Sequence, residues 1–143
     1  MKLAVGSRKP VGLIEDTVVS PYLLFEYTLY LKKLYLDYNL DYVMYGHVGN
    51  GNLHTRPIVD ICRRSEIDLL EVLADKVFRK VIGYGGTITG EHGDGLARSK
   101  YISRVYGTQL YSLFQQVKKI FDPNFNLNPG KKVLFEETTE ITI

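Results

Sequence analysis

The segment YGHVGNGNLHTRP, residues 45–57, constrains the fold more than any other stretch, because Asn50-Gly51 sits between two runs that read as strands. Asn-Gly is a strong hairpin signal: both residues accept the positive φ of a type I′ turn, and that turn fixes the pairing of the strands it joins. With Asn50 and Gly51 at the centre, His47 is expected directly opposite His54. Cross-strand partners hold their Cβ atoms roughly 4.5–5.5 Å apart on one face, a span that two imidazoles can bridge to a shared ion. Tyr45 and Arg56, two residues further along each strand, line the same face. The competing interpretation is a pair of solvated histidines beside a turn whose glycines serve tightness alone.

The flanking segments supply the other elements. VGLIEDTVV (11–19) is short and β-branched, which predicts a strand, interrupted by the acidic pair Glu15 and Asp16. Ser20 and Pro21 read as the N-cap and first-turn proline of a helix with Leu24, Tyr27, Leu31 and Leu34 on one stripe. DYVMYGHV and NLHTRPIV are the hairpin strands; Ser65 and Asp68 form a capping-box pattern before a helix with Leu70, Leu73, Ala74, Val77 and Val81 inward. TITGEHG predicts a fourth strand, and Thr108 opens a third long helix with Leu110, Leu113, Phe114, Val117 and Phe121 inward, stopped by Pro123. Residues 136–143 read as a polar tail.

Strand, helix, strand, strand, helix, strand is the ferredoxin-like split βαββαβ order, an α+β fold. One antiparallel sheet with helices on one face is expected, plus an extra C-terminal helix. In strand order 4-1-3-2 we expect the first and third strands to run parallel, opposed by the second and fourth, with strand four ending at the edge that holds the hairpin tip. Glu91 and His92 would then lie roughly 10 Å across the sheet from the third strand, at the end that carries His47 and His54.

A chain of 143 residues suits one domain. Its net charge of +2 calls for neither nucleic acid nor an anionic membrane as partner. The split βαββαβ order also occurs in RNA-recognition domains, and Tyr42 and Tyr45 lie on a strand, but the basic-aromatic RNP1 pattern is absent. Cys62 is the one cysteine, so neither an internal disulfide nor a thiolate cluster can form. No apolar run approaches the ~18 residues of a spanning helix, and MKLAVGSRKP lacks a signal-peptide core. A cytoplasmic setting is expected, with docking at a membrane surface left open.

Glu91 beside two neutral imidazoles would suit Zn²⁺ or another divalent first-row metal with open positions for substrate, with His92 next to that charge as a base. Against this stands a glycine-rich loop, GEHGDG, with incidental charges.

GHVGNGNLH, GGTITGEHGDGLARSKY and FDPNFNLNPGK resemble, in order and spacing, three signatures of the C-terminal substrate domain of FAD-linked 2-hydroxy-acid dehydrogenases. That group contains D-lactate dehydrogenase, the glycolate oxidase flavoprotein subunit and D-2-hydroxyglutarate dehydrogenase, within the vanillyl-alcohol-oxidase type of flavoprotein. The resemblance implies a ferredoxin-like cap domain, here residues 1–135, with His47, His54 and Glu91 as metal ligands and His92 as the active-site base. It also implies that a metal holds the hydroxyl and carboxylate of a small 2-hydroxy acid while hydride moves to FAD. Arg56 is a candidate partner for the substrate carboxylate, and Asn128 and Lys131 resemble a segment that returns toward the flavin.

Two departures bear on function. LIED has no lysine beside its aspartate, where hydroxyglutarate-type relatives tend to carry one, which favours a D-lactate or glycolate-like substrate. No GxGxxG fingerprint opening a helix is present, and the FAD-binding domain of the family has no counterpart in the sequence. The chain is therefore expected to need a separate FAD-binding half or subunit, and alone to neither hold FAD tightly nor turn over. Apolar surface left by such a half would favour a partner chain or a homo-oligomer. The alternative is a non-catalytic ferredoxin-like module that binds a small ligand or assembles with partners.

Overall fold

β4, Asn52–Asp60, is the strand on which the sheet is built. In the computed structural model, which describes residues 6–134, it pairs antiparallel along one edge with β3, Tyr42–His47. Along the other edge it pairs antiparallel with β1, Arg8–Pro10, and β2, Thr17–Val18. A bridge from Val18 to Thr87 extends the sheet beyond β2. The fold is thus the ferredoxin-like α+β arrangement with strand order 4-1-3-2, its first strand split into β1 and β2 and its fourth reduced to one bridge. The polar tail at 136–143 lies outside the described residues.

The expected strand directions need correction: β1 and β2 run antiparallel to β4, where the first and third strands were expected parallel. The first two strands of the split motif share a direction because a helix returns the chain between them, and the hairpin then reverses the third. The segment after Thr87 consequently runs back along β2, Gly90 donating to the Asp16 carbonyl at 2.9 Å, rather than toward the hairpin tip.

Alternation along β4 divides its side chains between two faces. Leu53, Thr55 and Val59 are buried on the core face. There Thr55 Oγ1 donates to the Tyr35 hydroxyl at 2.9 Å, and Thr17 Oγ1 shares a hydrogen with Tyr27 at 2.8 Å. Both tyrosines belong to α1, Leu24–Asp37, whose buried residues include the expected Leu24, Tyr27, Leu31 and Leu34. Burial pushes both phenols well above their ordinary pKa, so they stay neutral hydroxyls in the core. α2, Arg64–Gly83, buries the expected Leu70, Leu73, Ala74, Val77 and Val81.

The caps differ from the sequence reading. Ser20 makes no side-chain cap bond, because a 3-10 turn over Pro21–Leu23 precedes α1. Ser65 lies inside α2, whose N-cap is Arg63, and Glu66 of the first turn reaches back to the Asp60 amide at 2.8 Å.

The chain divides after His92 into two compact units. The second holds α3, Gly95–Arg98, and α4, Ile102–Phe121, which is interrupted at Gly107 (φ 77°), so Thr108 does begin a straight segment. Its expected inward stripe is not buried: Leu110, Leu113, Val117 and Phe121 are all exposed. Periodicity fixes which side chains share a face, not whether anything covers it.

Gly51 adopts φ +69°, and a Cβ there would lie 1.9 Å from the Val19 carbonyl oxygen, while a Cβ at Gly49 meets nothing within 4 Å. Gly51→Ala should therefore cost about 2 kcal/mol or more, and Gly49→Ala less than about 0.5 kcal/mol, in paired denaturant melts. Equal melts would refute this account of the turn.

Candidate functional site

The second face of β4 carries His54 and Arg56, the residues that alternate with the core-facing ones. The hairpin register differs from the type I′ expectation. A 3-10 turn, Val48–Asn50, followed by left-handed Gly51 makes the connection, and it pairs Tyr45 with His54 and His47 with Asn52. His47 therefore lies diagonal to His54 rather than opposite. The shift is two residues in the pairing sum, an even number, so both imidazoles keep the same face. Their ring centroids lie 5.6 Å apart.

Glu91 is where they converge. His47 Nε2 lies 3.3 Å and His54 Nε2 3.0 Å from Glu91 Oε1, and His92 Nε2 approaches the same oxygen at 3.5 Å. Three imidazole nitrogens thus approach one carboxylate oxygen, while the set whose ligand atoms all lie within 4.8 Å of one another includes His54, Glu91 and His92 and leaves His47 out. His54 is buried and its Nδ1 has no hydrogen-bond partner. Its ring is held by packing between Tyr45, at 5.1 Å, and the nearly parallel ring of His92, at 4.9 Å.

The residue that brings Glu91 and His92 here is Asp16, which the sequence reading noted only as an interruption. Its Oδ2 accepts from the amides of Gly90 at 2.9 Å, Glu91 at 3.1 Å and His92 at 2.8 Å, and from Thr89 Oγ1 at 3.0 Å. Its Oδ1 accepts from Asn52 Nδ2 at 3.1 Å. A Cβ at Gly90 would lie 3.2 Å from that Oδ1 and 2.8 Å from the Asn52 amide nitrogen, so glycine there leaves the carboxylate room. Asp16, His54, Glu91 and His92 offer ligand atoms within 4.8 Å of one another. Asp16, though, has its oxygens filled by donors, which makes it the clasp of the loop and not a ligand.

Glu15, also buried, is the second residue that sequence reasoning left without a role. Its Oε2 accepts from Nε and Nη2 of Arg56, and its Oε1 lies 3.2 Å from His92 Nδ1. Arg56 is therefore already engaged, with its guanidinium 5.9 Å from the Tyr45 ring. Asn128 and Lys131 belong to the second unit, where Lys131 Nζ donates to Asn128 Oδ1 at 3.0 Å. An acidic pair inside an otherwise apolar strand was the available signal for Glu15 and Asp16, since buried carboxylates occur only where donors await them.

An α+β ferredoxin-like domain whose second sheet face gathers three histidines and a carboxylate defines the class of protein. The chain belongs to the family of FAD linked oxidases, C-terminal domain, which matches residues 1–132. It is 41% identical over 128 residues to a D-2-hydroxyglutarate dehydrogenase of Haemophilus influenzae, covering 90% of this chain and 12% of that protein. It is 33% identical to a D-lactate dehydrogenase of Archaeoglobus fulgidus and 32% identical to a glycolate oxidase subunit GlcD of Bacillus subtilis, covering 90% of this chain and 28% and 27% of those proteins. The chain thus spans a minor part of the length of the relatives it matches. Among the described residues no helix is long and apolar enough to cross a membrane.

Burial by itself would raise the Asp16 carboxyl, but the amides of His92 and Glu91 and the side chains of Asn52 and Thr89 outweigh it and lower it from 3.8 to about 2. A carboxyl depressed on folding stabilises the protein above its unfolded value and loses that contribution as pH falls through the folded one. The metal-free chain should lose about 2 kcal/mol between pH 5 and 2 through this group. Asp16→Asn should flatten that limb in pH-dependent melts; an unchanged acid profile would show that Asp16 is not the clasp.

Proposed function

We propose that this chain is the substrate- and metal-binding part of an FAD-dependent 2-hydroxy-acid dehydrogenase, residues 1–135 acting as its cap domain. The observation that carries the reading is the meeting of His47 Nε2 and His54 Nε2 on one oxygen of Glu91, with His92 beside them. His47, His54 and Glu91 would hold a divalent metal such as Zn²⁺, and the negative charge of Glu15, Asp16 and Glu91 near these imidazoles favours a cation there. Such an ion, when bound, supplies Lewis acidity that lowers the pKa of a substrate hydroxyl. His92 then accepts the hydroxyl proton. FAD, which a flavin-binding part of such an enzyme would hold, would supply the hydride acceptor. Arg56 would pair the carboxylate end of the substrate, and Asn128 and Lys131 are the residues whose segment resembles a cofactor-binding one. The alternative of a non-catalytic module leaves the convergence on Glu91 without a purpose.

A D-lactate or glycolate-like acid is favoured because LIED carries no lysine beside its aspartate. A dicarboxylic 2-hydroxy acid is the second reading, supported by the name of the Haemophilus relative. The setting we propose is cytoplasmic, with a separate FAD-binding subunit or a second copy as partner.

Calorimetric titration with Zn²⁺ should show one ion per chain. His47→Ala, His54→Ala and Glu91→Gln should each weaken binding by at least about 100-fold. Retained stoichiometric zinc in the double variant His47→Ala, His54→Ala would overturn the ligand set. The purified chain should be colourless and inactive with D-lactate, glycolate or D-2-hydroxyglutarate, and co-expression with a flavin-binding half should restore dye reduction with the preferred acid.

A further inference from the structure

We propose that Glu15 is a positioning residue that fixes the tautomer of His92, so that Nδ1 carries the ring proton and Nε2 is the bare nitrogen turned toward Glu91. The inference rests on the reading of His92 as the proton acceptor, and it gives that reading a physical requirement: an imidazole can take a proton only through a nitrogen that has none.

The His92 ring lies between two carboxylates. Nδ1 is 3.2 Å from Glu15 Oε1, and Nε2 is 3.5 Å from Glu91 Oε1. A neutral imidazole owns a single N–H, and an ionised carboxylate only accepts, so the ring can donate to one of the two. Three observations assign the hydrogen to Glu15. The Glu15 contact is the shorter, and it has hydrogen-bond geometry. The Glu15 side chain is 11% exposed against 47% for Glu91, and a less solvated acceptor makes the stronger bond. Glu91 Oε1 is also faced by His47 and His54, whereas Glu15 divides its oxygens, Oε2 to Arg56 and Oε1 to His92.

The backbone shows how one dipeptide reaches one residue twice. Neighbouring residues of a regular strand point to opposite faces, yet Asp16 bonds the His92 amide while Glu15 meets the His92 ring. Asp16 has φ 74°, a left-handed conformation that breaks the alternation and that aspartate tolerates better than most side chains. Glu15-Asp16 thus holds His92 by main chain and by ring together. When the substrate O–H bond breaks and its proton joins Nε2, the imidazolium formed already donates from Nδ1 to Glu15, which offsets the new charge.

The test is histidine imidazole NMR on the isotope-labelled chain at alkaline pH, which reports which ring nitrogen bears hydrogen; with three histidines, assignment is direct from His47→Asn and His54→Asn samples. In the wild type His92 should be the Nδ1–H tautomer. Glu15→Gln should reverse it: the guanidinium of Arg56 claims the amide oxygen, the amide nitrogen then faces Nδ1, and the ring proton moves to Nε2. A wild-type ring protonated at Nε2, or a folded Glu15→Gln chain that keeps the proton on Nδ1, overturns the proposal. If Glu15→Gln does not fold, the wild-type tautomer alone decides. Zinc titration of the same sample separates the two claims, because failure to bind zinc removes the metal reading and leaves the tautomer result standing.

Discussion

The site depends on one buried carboxylate. Asp16 gathers three consecutive amides, a threonine hydroxyl and an asparagine amide, and this bonding holds residues 89–92 against the sheet. Among the described residues, the fourth strand's backbone pairing with β2 and the residue before it is otherwise the bridge at Thr87 and the Gly90 amide on the Asp16 carbonyl. Ladder hydrogen bonds that a longer strand would supply are replaced here by charge-assisted bonds to one side chain, which are roughly twice as strong individually. The exchange has a geometric consequence. A ladder would point Glu91 and His92 to opposite faces, whereas amides wrapped around one carboxylate leave both side chains near His54.

β4 does the complementary work on the other side. Its alternation sends Leu53, Thr55 and Val59 into the core and leaves His54 and Arg56 on the second face. The core side is pinned by hydroxyl pairs, Thr55 with Tyr35 and Thr17 with Tyr27, so both strands that flank the site are tied to the same helix. A one-residue slip of β4 would bury Arg56 and expose Leu53, and the cost of that exchange is what keeps the histidine in place.

Much of this was legible in the sequence. Helical stripes over Leu24–Leu34 and Leu70–Val81 follow from periodicity, and burial agrees with them. The shared face of His47 and His54 survived an error in the turn because the error shifted the pairing by an even number. The turn type is not legible in Asn-Gly, because the dipeptide fits a 3-10 turn closed by a left-handed glycine as well as type I′. The apolar residues of α4 share a face as their spacing requires, yet they are exposed, since periodicity says nothing of what lies opposite. The roles of Glu15 and Asp16 are not legible because their partners lie 36 to 77 residues away, beyond any local pattern.

Those two acids also explain why the site is placed where the first strand breaks. A continuous strand from Arg8 to Val18 would satisfy its own amides through the ladder and turn alternate side chains away from His92. Breaking it into β1 and β2 gives up ladder bonds and places Asp16 at a left-handed φ, a conformation that costs a non-glycine residue on the order of 1 kcal/mol. Five donors to one carboxylate outweigh that cost, because charge-assisted bonds contribute about 1.5–3 kcal/mol each where neutral ones give about 1. The strain is thus held at the point where two neighbouring carboxylates must address the same histidine, one through its amide and one through its ring, which is a task no regular strand can perform.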